Sequence, residues 1–278
     1  MIANLMAQIG NHTNAKVEEN MVRHMVLNSI RSLKNKFSNE YGELVIACDH
    51  KNCWRKDIFP YYKANRKKTR KESELNWNEI FECLNKIRQE LNDFFPYRVL
   101  HVETAEADDI IATLVFNHGI EGFNTGEKIL ILSGDKDFIQ LHNYHNVDQY
   151  DPVKKKFVTH HAPTSFLKEH ILRGDVGDGI PNFLSNDNCF VVGERQKSLT
   201  QKKIDYYLNT EPELFESEML KRNYNRNSIL IDLRNIPQQL RDIIMNEYEN
   251  NANKPTNQIF NYFVKHRLKT LMENINDF

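Results

Sequence analysis

One pattern occurs twice in this chain, and the repetition constrains the fold more than any other feature. Val99-Leu100-His101-Val102 leads into Glu103-Thr104-Ala105-Glu106-Ala107-Asp108-Asp109, and Ile129-Leu130-Ile131-Leu132 leads into Ser133-Gly134-Asp135-Lys136-Asp137. An apolar run of four, too short for a helix and bounded by turn residues, reads as a buried parallel strand. In an open α/β sheet the carboxyl ends of such strands share one edge, where ligands bind. Glu106, Asp108, Asp109, Asp135 and Asp137 are therefore expected to converge. Asp49, at the end of a Leu44–Cys48 strand, is expected to join them. Crowded carboxylates repel and raise one another's pKa unless a cation lies between them. Hard oxygen ligands of this kind suit Mg²⁺ or Mn²⁺. Each motif alone has a plainer explanation: acids in a first helical turn complement the macrodipole, and Asp-Lys-Asp after a strand makes a turn and a cap. Two such motifs in one chain favour metal.

With 278 residues the chain can bury one large core or a main domain with a smaller appendage. A net charge of −1 means that attraction to nucleic acid must come from local patches. No apolar run reaches the ~18 residues of a membrane span, and the start lacks a basic leader, so export is not expected. The four cysteines show neither CxxC nor a paired His spacing, which fits reduced thiols in the cytosol. No HExxH occurs among the histidines, and His160-His161 reads as a polar strand end.

Residues 1–37 are expected to be helical, with an apolar face at Met21, Val22, Met25, Val26, Ser29, Ile30 and Leu33, and Tyr41-Gly42 as the stop. From Lys51 to Lys71 nine basic residues face one acid, Asp57, with Trp54, Phe59, Tyr61 and Tyr62 among them. Basic runs are commonly solvated faces, but cations interleaved with aromatics suit a single strand, whose bases stack on rings while Lys and Arg follow phosphates. Leu75–Phe95 reads as an amphipathic core helix, followed by a strand over 97–102. Val147–Tyr150 and Lys156–Thr159 read as a hairpin around Asp151-Pro152. Arg173-Gly174-Asp175-Val176-Gly177-Asp178-Gly179-Ile180-Pro181 allows a tight turn whose exposed amides or carbonyls can meet a phosphate or a monovalent cation. An EF-hand is excluded, because Asn186 stands where the bidentate Glu belongs. Helical periodicity returns over 204–220 and 227–248, a polar linker spans 250–257, and a terminal helix begins at Ile259.

Ala105-Glu106-Ala107-Asp108-Asp109, Ser133-Gly134-Asp135-Lys136-Asp137-Phe138 and Gly174-Asp175-x-x-Asp178-x-Ile180-Pro181 together resemble the 5′-nuclease family, which includes the flap endonucleases. The resemblance covers nearly the whole chain and is nearest to the family's phage branch. It implies an α/β fold, a twisted, mostly parallel sheet with helices on both faces. It also implies a 1–160 nuclease core with a basic arch at 51–76 and a helical duplex-binding region at 161–278 entered by a helix–three-turn–helix. It further implies a divalent-metal-dependent nuclease with two ions, Mg²⁺ or Mn²⁺, held by Asp49, Glu106, Asp108, Asp109, Asp135, Asp137, Asp175 and Asp178. Lys63 and Arg66 would act at the scissile phosphate. Tyr62, Lys67, Lys68, Arg70, Gly174, Gly177 and Gly179 would join them in binding nucleic acid, with a monovalent cation at the Gly174–Pro181 turn. The implied substrates are DNA with 5′ flaps or nicks and RNA–DNA duplex, in primer removal during phage replication in the host cytoplasm. A single-strand-binding protein or sliding clamp would be the partner.

Two rivals are a flap- and duplex-binding protein that cannot cut, and a PIN-type ribonuclease, against which the Gly174–Pro181 motif and the arch argue. Family members open with a central strand ending in a metal-site Asp, whereas here Asp49 is the first aspartate. The first central strand is thus expected to be missing and the strands at Leu44 and Ile129 to border a gap. A native form is expected to start upstream, leaving the chain as written poorly stable and weakly active or inactive.

Overall fold

The computed structural model of the chain describes residues 18–71, 76–121, 127–252 and 257–278. In chain order the elements are α1 (Glu19–Tyr41), β1 (Val45–Ala47), α2 (Arg55–Ile58), α3 (Ala64–Lys71), α4 (Trp77–Phe94), β2 (Arg98–Leu100), α5 (Ala107–Glu121) and β3 (Ile129–Leu132). A 3₁₀ helix (Lys136–Asn143) precedes β4 (Val147–Asp151) and β5 (Lys156–Val158). The remaining helices are α6 (Pro163–Arg173), α7 (Cys189–Val192), α8 (Gln201–Leu208), α9 (Glu218–Ile231), α10 (Gln238–Asn250), α11 (Ile259–Lys265) and α12 (Lys269–Met272). The chain forms two compact units, one of residues 1–49, 73–102 and 243–278, the other of residues 50–72 and 103–242.

In the first unit α1 lays Val22, Val26, Leu27 and Ile30 against Ile87 and Leu91 of α4, and the core is closed by Phe95, Tyr262, Phe263 and Phe278. The buried face of α1 is rotated from the expected one. Met21 is exposed, and Arg23 is fully buried. The cause is a polar contact that hydropathy spacing does not report: Arg23 pairs with Glu90 at 2.8 Å, and Tyr262 Oη donates to the same carboxylate at 2.8 Å. Breaking one partner of such a buried pair leaves an uncompensated charge, so the pair fixes the rotation of the helix. Gly42, at φ 75°, ends α1 by returning its N–H to the Ser38 carbonyl. Asn76 caps α4 through the Glu79 N–H. β1 and β2 pair in parallel, with Ile46 opposite Val99. The expected helix over 1–17 and the question of a first strand there lie outside the described residues.

In the second unit β3 runs parallel to β4 and β5 returns antiparallel, with Leu132 opposite Tyr150. The α/β class is as expected, but the described strands form two small sheets, one in each unit. A second core gathers Leu172, Phe183, Leu184, Ile204 and Phe215. The helical stretch expected over 204–220 is broken: α8 stops at Leu208, Pro212 opens a 3₁₀ turn, and Ser217 caps α9 by accepting the Leu220 N–H. The stretch expected over 227–248 is broken too. Asp232 ends α9 and accepts the Arg234 N–H, and Pro237 immediately precedes α10.

Candidate active site

The first turn of α5 sorts its acids into two environments. Asp109 is fully buried, and its carboxylate accepts the Glu106 N–H at 2.9 Å and the Trp54 Nε1–H at 3.1 Å. This is the third helical position reaching back to the cap, which satisfies an otherwise orphaned amide. Arg55 closes the arrangement, 2.8 Å from Asp109 and 2.9 Å from Glu106, while its Nε donates to the Leu230 carbonyl. Arg55, counted above in a basic run, is thus a buried counterion. Asp109, expected to hold metal, has its carboxylate committed to Arg55, Trp54 and the helix cap.

Glu106 and Asp178 are held by the 61–66 segment. Lys63 Nζ lies 2.5 Å from Glu106 and 3.4 Å from Asp178. Arg66 lies 2.5 Å from Asp178 Oδ1, and Tyr62 Oη is 2.8 Å from Glu106 and 2.9 Å from Asp178. Burial would raise the Glu106 carboxyl, but the Lys63 and Arg55 charges outweigh it and hold the pKa at about 2. The backbone follows the same docking: the Lys63 N–H donates to the Asp178 carbonyl at 2.7 Å, and Asn65 Nδ2 to the Val176 carbonyl at 2.7 Å. Gly179, at φ 72°, allows the approach, since a Cβ there would stand 3.1 Å from the Tyr61 carbonyl oxygen. Lys63 itself sits at φ 56°, a conformation costly for a side chain with a Cβ. Tyr62, expected to offer its ring to a base, is instead buried with its hydroxyl on the two carboxylates.

The third group has no such partners. Beyond β3, Asp135 accepts the Asp137 N–H and caps the 3₁₀ helix. Gln149, buried on β4, donates to the carbonyls of Ser133 and Asp135 at 2.8 and 2.7 Å and fixes the loop. Gly134 passes so close to Asp151 that a Cβ would stand 2.7 Å from its carboxyl group. Asp108 has no side-chain hydrogen bond or ion pair among the described residues. Burial, and then the charges of Asp135 and Asp137, push its carboxyl well above the usual range. Asp137 is pushed up to about 7 by burial, with Asp135, Asp175 and Asp178 adding to the rise against the opposing pull of His170. Asp175, bonded by His170 at 3.3 Å, falls to about 2.

His170, on the last turn of α6, was not a sequence candidate. Its Nδ1 is buried without a hydrogen-bond partner, 3.5 Å from Asp137, and one ligand atom each from Asp137, His170 and Asp175 lie within 4.8 Å of one another. The only hint in the sequence is its place five residues before Asp175. Mutually repelling carboxylates beside a buried nitrogen that lacks a hydrogen-bond partner fit a divalent cation. The Gly174–Pro181 turn is rigid: Gly174 has φ 67°, and a Cβ there would stand 2.4 Å from the Ile180 and Pro181 carbonyl oxygens. Asn227 and Arg226 of α9 donate to the Pro181 carbonyl, and Asn227 also to that of Ile171. Those two residues were likewise invisible as site candidates. Gly177 lies within the turn, its Cβ position 3.1 Å from Asp175 Oδ1. Arg70 is exposed, and the Lys67 and Lys68 side chains lie outside the described residues. Asp49 follows β1 at the end of a stretch of the first unit, whereas the other candidate acids belong to the second.

Residues 3–170 match the family described as 5′-3′ exonuclease, N-terminal resolvase-like domain, and residues 165–278 match that described as T4 RNase H, C terminal. The chain belongs to the 5′-3′ exonuclease family and is a 5′ nuclease, a phosphodiester hydrolase. It is 37% identical over 275 residues to the ribonuclease H of Enterobacteria phage T4, spanning 95% of this chain and 88% of that protein. It is 29% identical over 265 residues to the 5′-3′ exonuclease of Buchnera aphidicola subsp. Acyrthosiphon pisum (strain APS), spanning 86% and 85%. The fold is shared with the T5 5′-exonuclease solved with zinc ions, at TM-score 0.62, 16% identity and 90% and 97% coverage. A bacteriophage T5 flap endonuclease solved in a pseudo-enzyme-product complex with DNA and metal ions matches at TM-score 0.56, with 17% identity and 90% and 96% coverage. No helix among the described residues is long and apolar enough to cross a membrane.

Proposed function

We propose that the chain is a divalent-metal-dependent 5′-3′ exonuclease and flap endonuclease. It hydrolyses DNA at 5′ flaps, ends or nicks and RNA paired with DNA, and so removes RNA primers during phage replication in the host cytoplasm. The observation that carries the reading is the group formed by Asp108, Asp135 and Asp137, whose charges repel one another and raise the carboxyls of Asp108 and Asp137. These three are the principal holders of Mg²⁺ or Mn²⁺ at two positions, with Asp175, Asp178 and Glu106 contributing directly or through water. Asp109 supports them by capping α5. Bound there, the ions supply an activated water and charge stabilisation at the leaving oxygen.

The chain's own residues do the rest. Lys63 and Arg66, resting on Glu106 and Asp178, carry the cations that turn to the scissile phosphate when substrate enters. Lys67, Lys68 and Arg70 follow the strand in the arch, 51–76. Duplex is gripped from the 161–278 region, where the tight turn built on Gly174, Gly177 and Gly179 approaches the phosphate backbone, with a monovalent cation at the turn. A single-strand-binding protein or sliding clamp is the replication partner. Incubating the purified chain with a 5′-labelled flap and Mg²⁺ tests the reading. Cleavage that stops with EDTA supports it, whereas binding without cleavage identifies the flap-binding alternative instead.

A further inference from the structure

His170 stands between two carboxylates carried by different elements. Asp137 belongs to the first turn of the 3₁₀ helix, and Asp175 to the turn after α6. Nε2 lies 3.3 Å from Asp175 Oδ2, and Nδ1 lies 3.5 Å from Asp137 Oδ1. The second separation is a few tenths of an ångström beyond a hydrogen bond. Each ring nitrogen therefore faces a carboxylate, and neither is turned to open space. The ring is held from several sides. Phe166 packs edge-on at 5.8 Å, and the His170 carbonyl accepts the Gly174 N–H at 2.9 Å, which ties the end of α6 to the turn. Asp175 is pinned as well, its Oδ1 accepting the Asp178 N–H at 3.0 Å, so that Oδ2 remains for the imidazole.

Two acids that approach one site from separate elements repel one another unless a polar group lies between them. We propose that His170 is a positioning residue for the metal-binding carboxylates. Hydrogen-bonded to Asp175 and standing at ion-pair distance from Asp137, it sets the spacing at which the two receive a divalent ion. The inference rests on the metal-dependent reading above and extends it to a residue outside the expected carboxylate set. Groups that orient metal ligands in this way are typically worth about 10–100-fold in metal affinity.

The test is a Mn²⁺ titration of the full chain, followed by the electron paramagnetic resonance of the free ion, with wild type, His170→Ala and His170→Gln. His170→Ala is expected to weaken Mn²⁺ binding about tenfold or more. His170→Gln, which retains an amide donor, is expected to recover most of the loss, and pulsed measurements on the wild type to detect no directly bound nitrogen. Circular dichroism checks folding first, and His170→Asn replaces the alanine variant if that one does not fold. Equal affinity in wild type and variants overturns the proposal. A directly coordinated nitrogen that disappears in the variants also overturns it, because His170 would then be a ligand. If the wild-type chain binds no Mn²⁺ at all, the metal-dependent reading itself falls, and the inference with it.

Discussion

Neighbouring aspartates in this site have opposite effects on stability. Asp109 neutralises the buried Arg55, and Asp109→Asn would leave that guanidinium without its main counterion. Breaking such a pair costs about 3–5 kcal/mol, so we expect a sharp drop in the urea midpoint of this variant. Asp108→Asn removes a carboxyl already raised by burial and by Asp135 and Asp137, and should leave the metal-free protein as stable or more so. Asp137 allows the sign to be worked out with pH. Its folded pKa of about 7 lies above the ordinary 3.8, so the folded state holds a proton that the unfolded chain has released. The stability contributed by this carboxyl is present below about 4 and is lost as pH rises through about 7. Asp137→Asn should therefore melt about 2–4 °C higher than wild type in EDTA at pH 8, with a smaller gain at pH 5, and cleave flaps orders of magnitude more slowly. Melting curves at the two pH values and a flap assay check both halves. Full cleavage by Asp137→Asn would remove the residue from the metal site.

At the scale of elements, the 61–66 segment and the 174–181 turn act on one another through Lys63, Asn65 and Arg66. Lys63→Ala and Arg66→Ala should reduce flap cleavage more than plain duplex binding, and the salt dependence of duplex binding should barely change. Equal losses on both substrates would make the basic run a general DNA surface. Gly174→Ala is the opposite probe, since its Cβ would collide with two backbone carbonyls in a left-handed conformation. That variant should lose about 2 kcal/mol or more of stability and much of its duplex affinity, measured by denaturation and by duplex titration. The strands and most helix cores were readable because apolar period and turn residues are local properties. Val22, Val26 and Ile30 of helix α1 are buried as expected, but the face is shifted so that Met21 is exposed and Arg23 faces inward to Glu90, 67 residues away in sequence. The breaks at Pro212 and Pro237 had local signals that periodicity overrode.

For the molecule as a whole, a net charge of −1 offers no general attraction to nucleic acid, so binding must depend on local surfaces and on bound ions. Mg²⁺ should raise the melting temperature of the wild-type chain by mass action, and Asp108→Asn with Asp135→Asn should abolish that rise without lowering the metal-free melting point. A rise that survives the double substitution would place the ions elsewhere. The family membership and the acidic strand ends were legible from residue order, because a buried strand followed by carboxylates is a pattern of neighbours. Which of those carboxylates stay free was not legible, since that depends on residues distant in sequence. Arg55 reaches Asp109, Lys63 and Tyr62 reach Glu106, and Arg66 reaches Asp178, leaving Asp108, Asp135 and Asp137 exposed to one another's charge. His170 and Asn227 stayed hidden for the same reason. A histidine or asparagine in a helical stretch carries no mark of function until folding puts it against the carboxylate or carbonyl it serves. Sequence order sets what chemistry is present, but burial and charge pairing act through space, and only folding assigns each acid its partner.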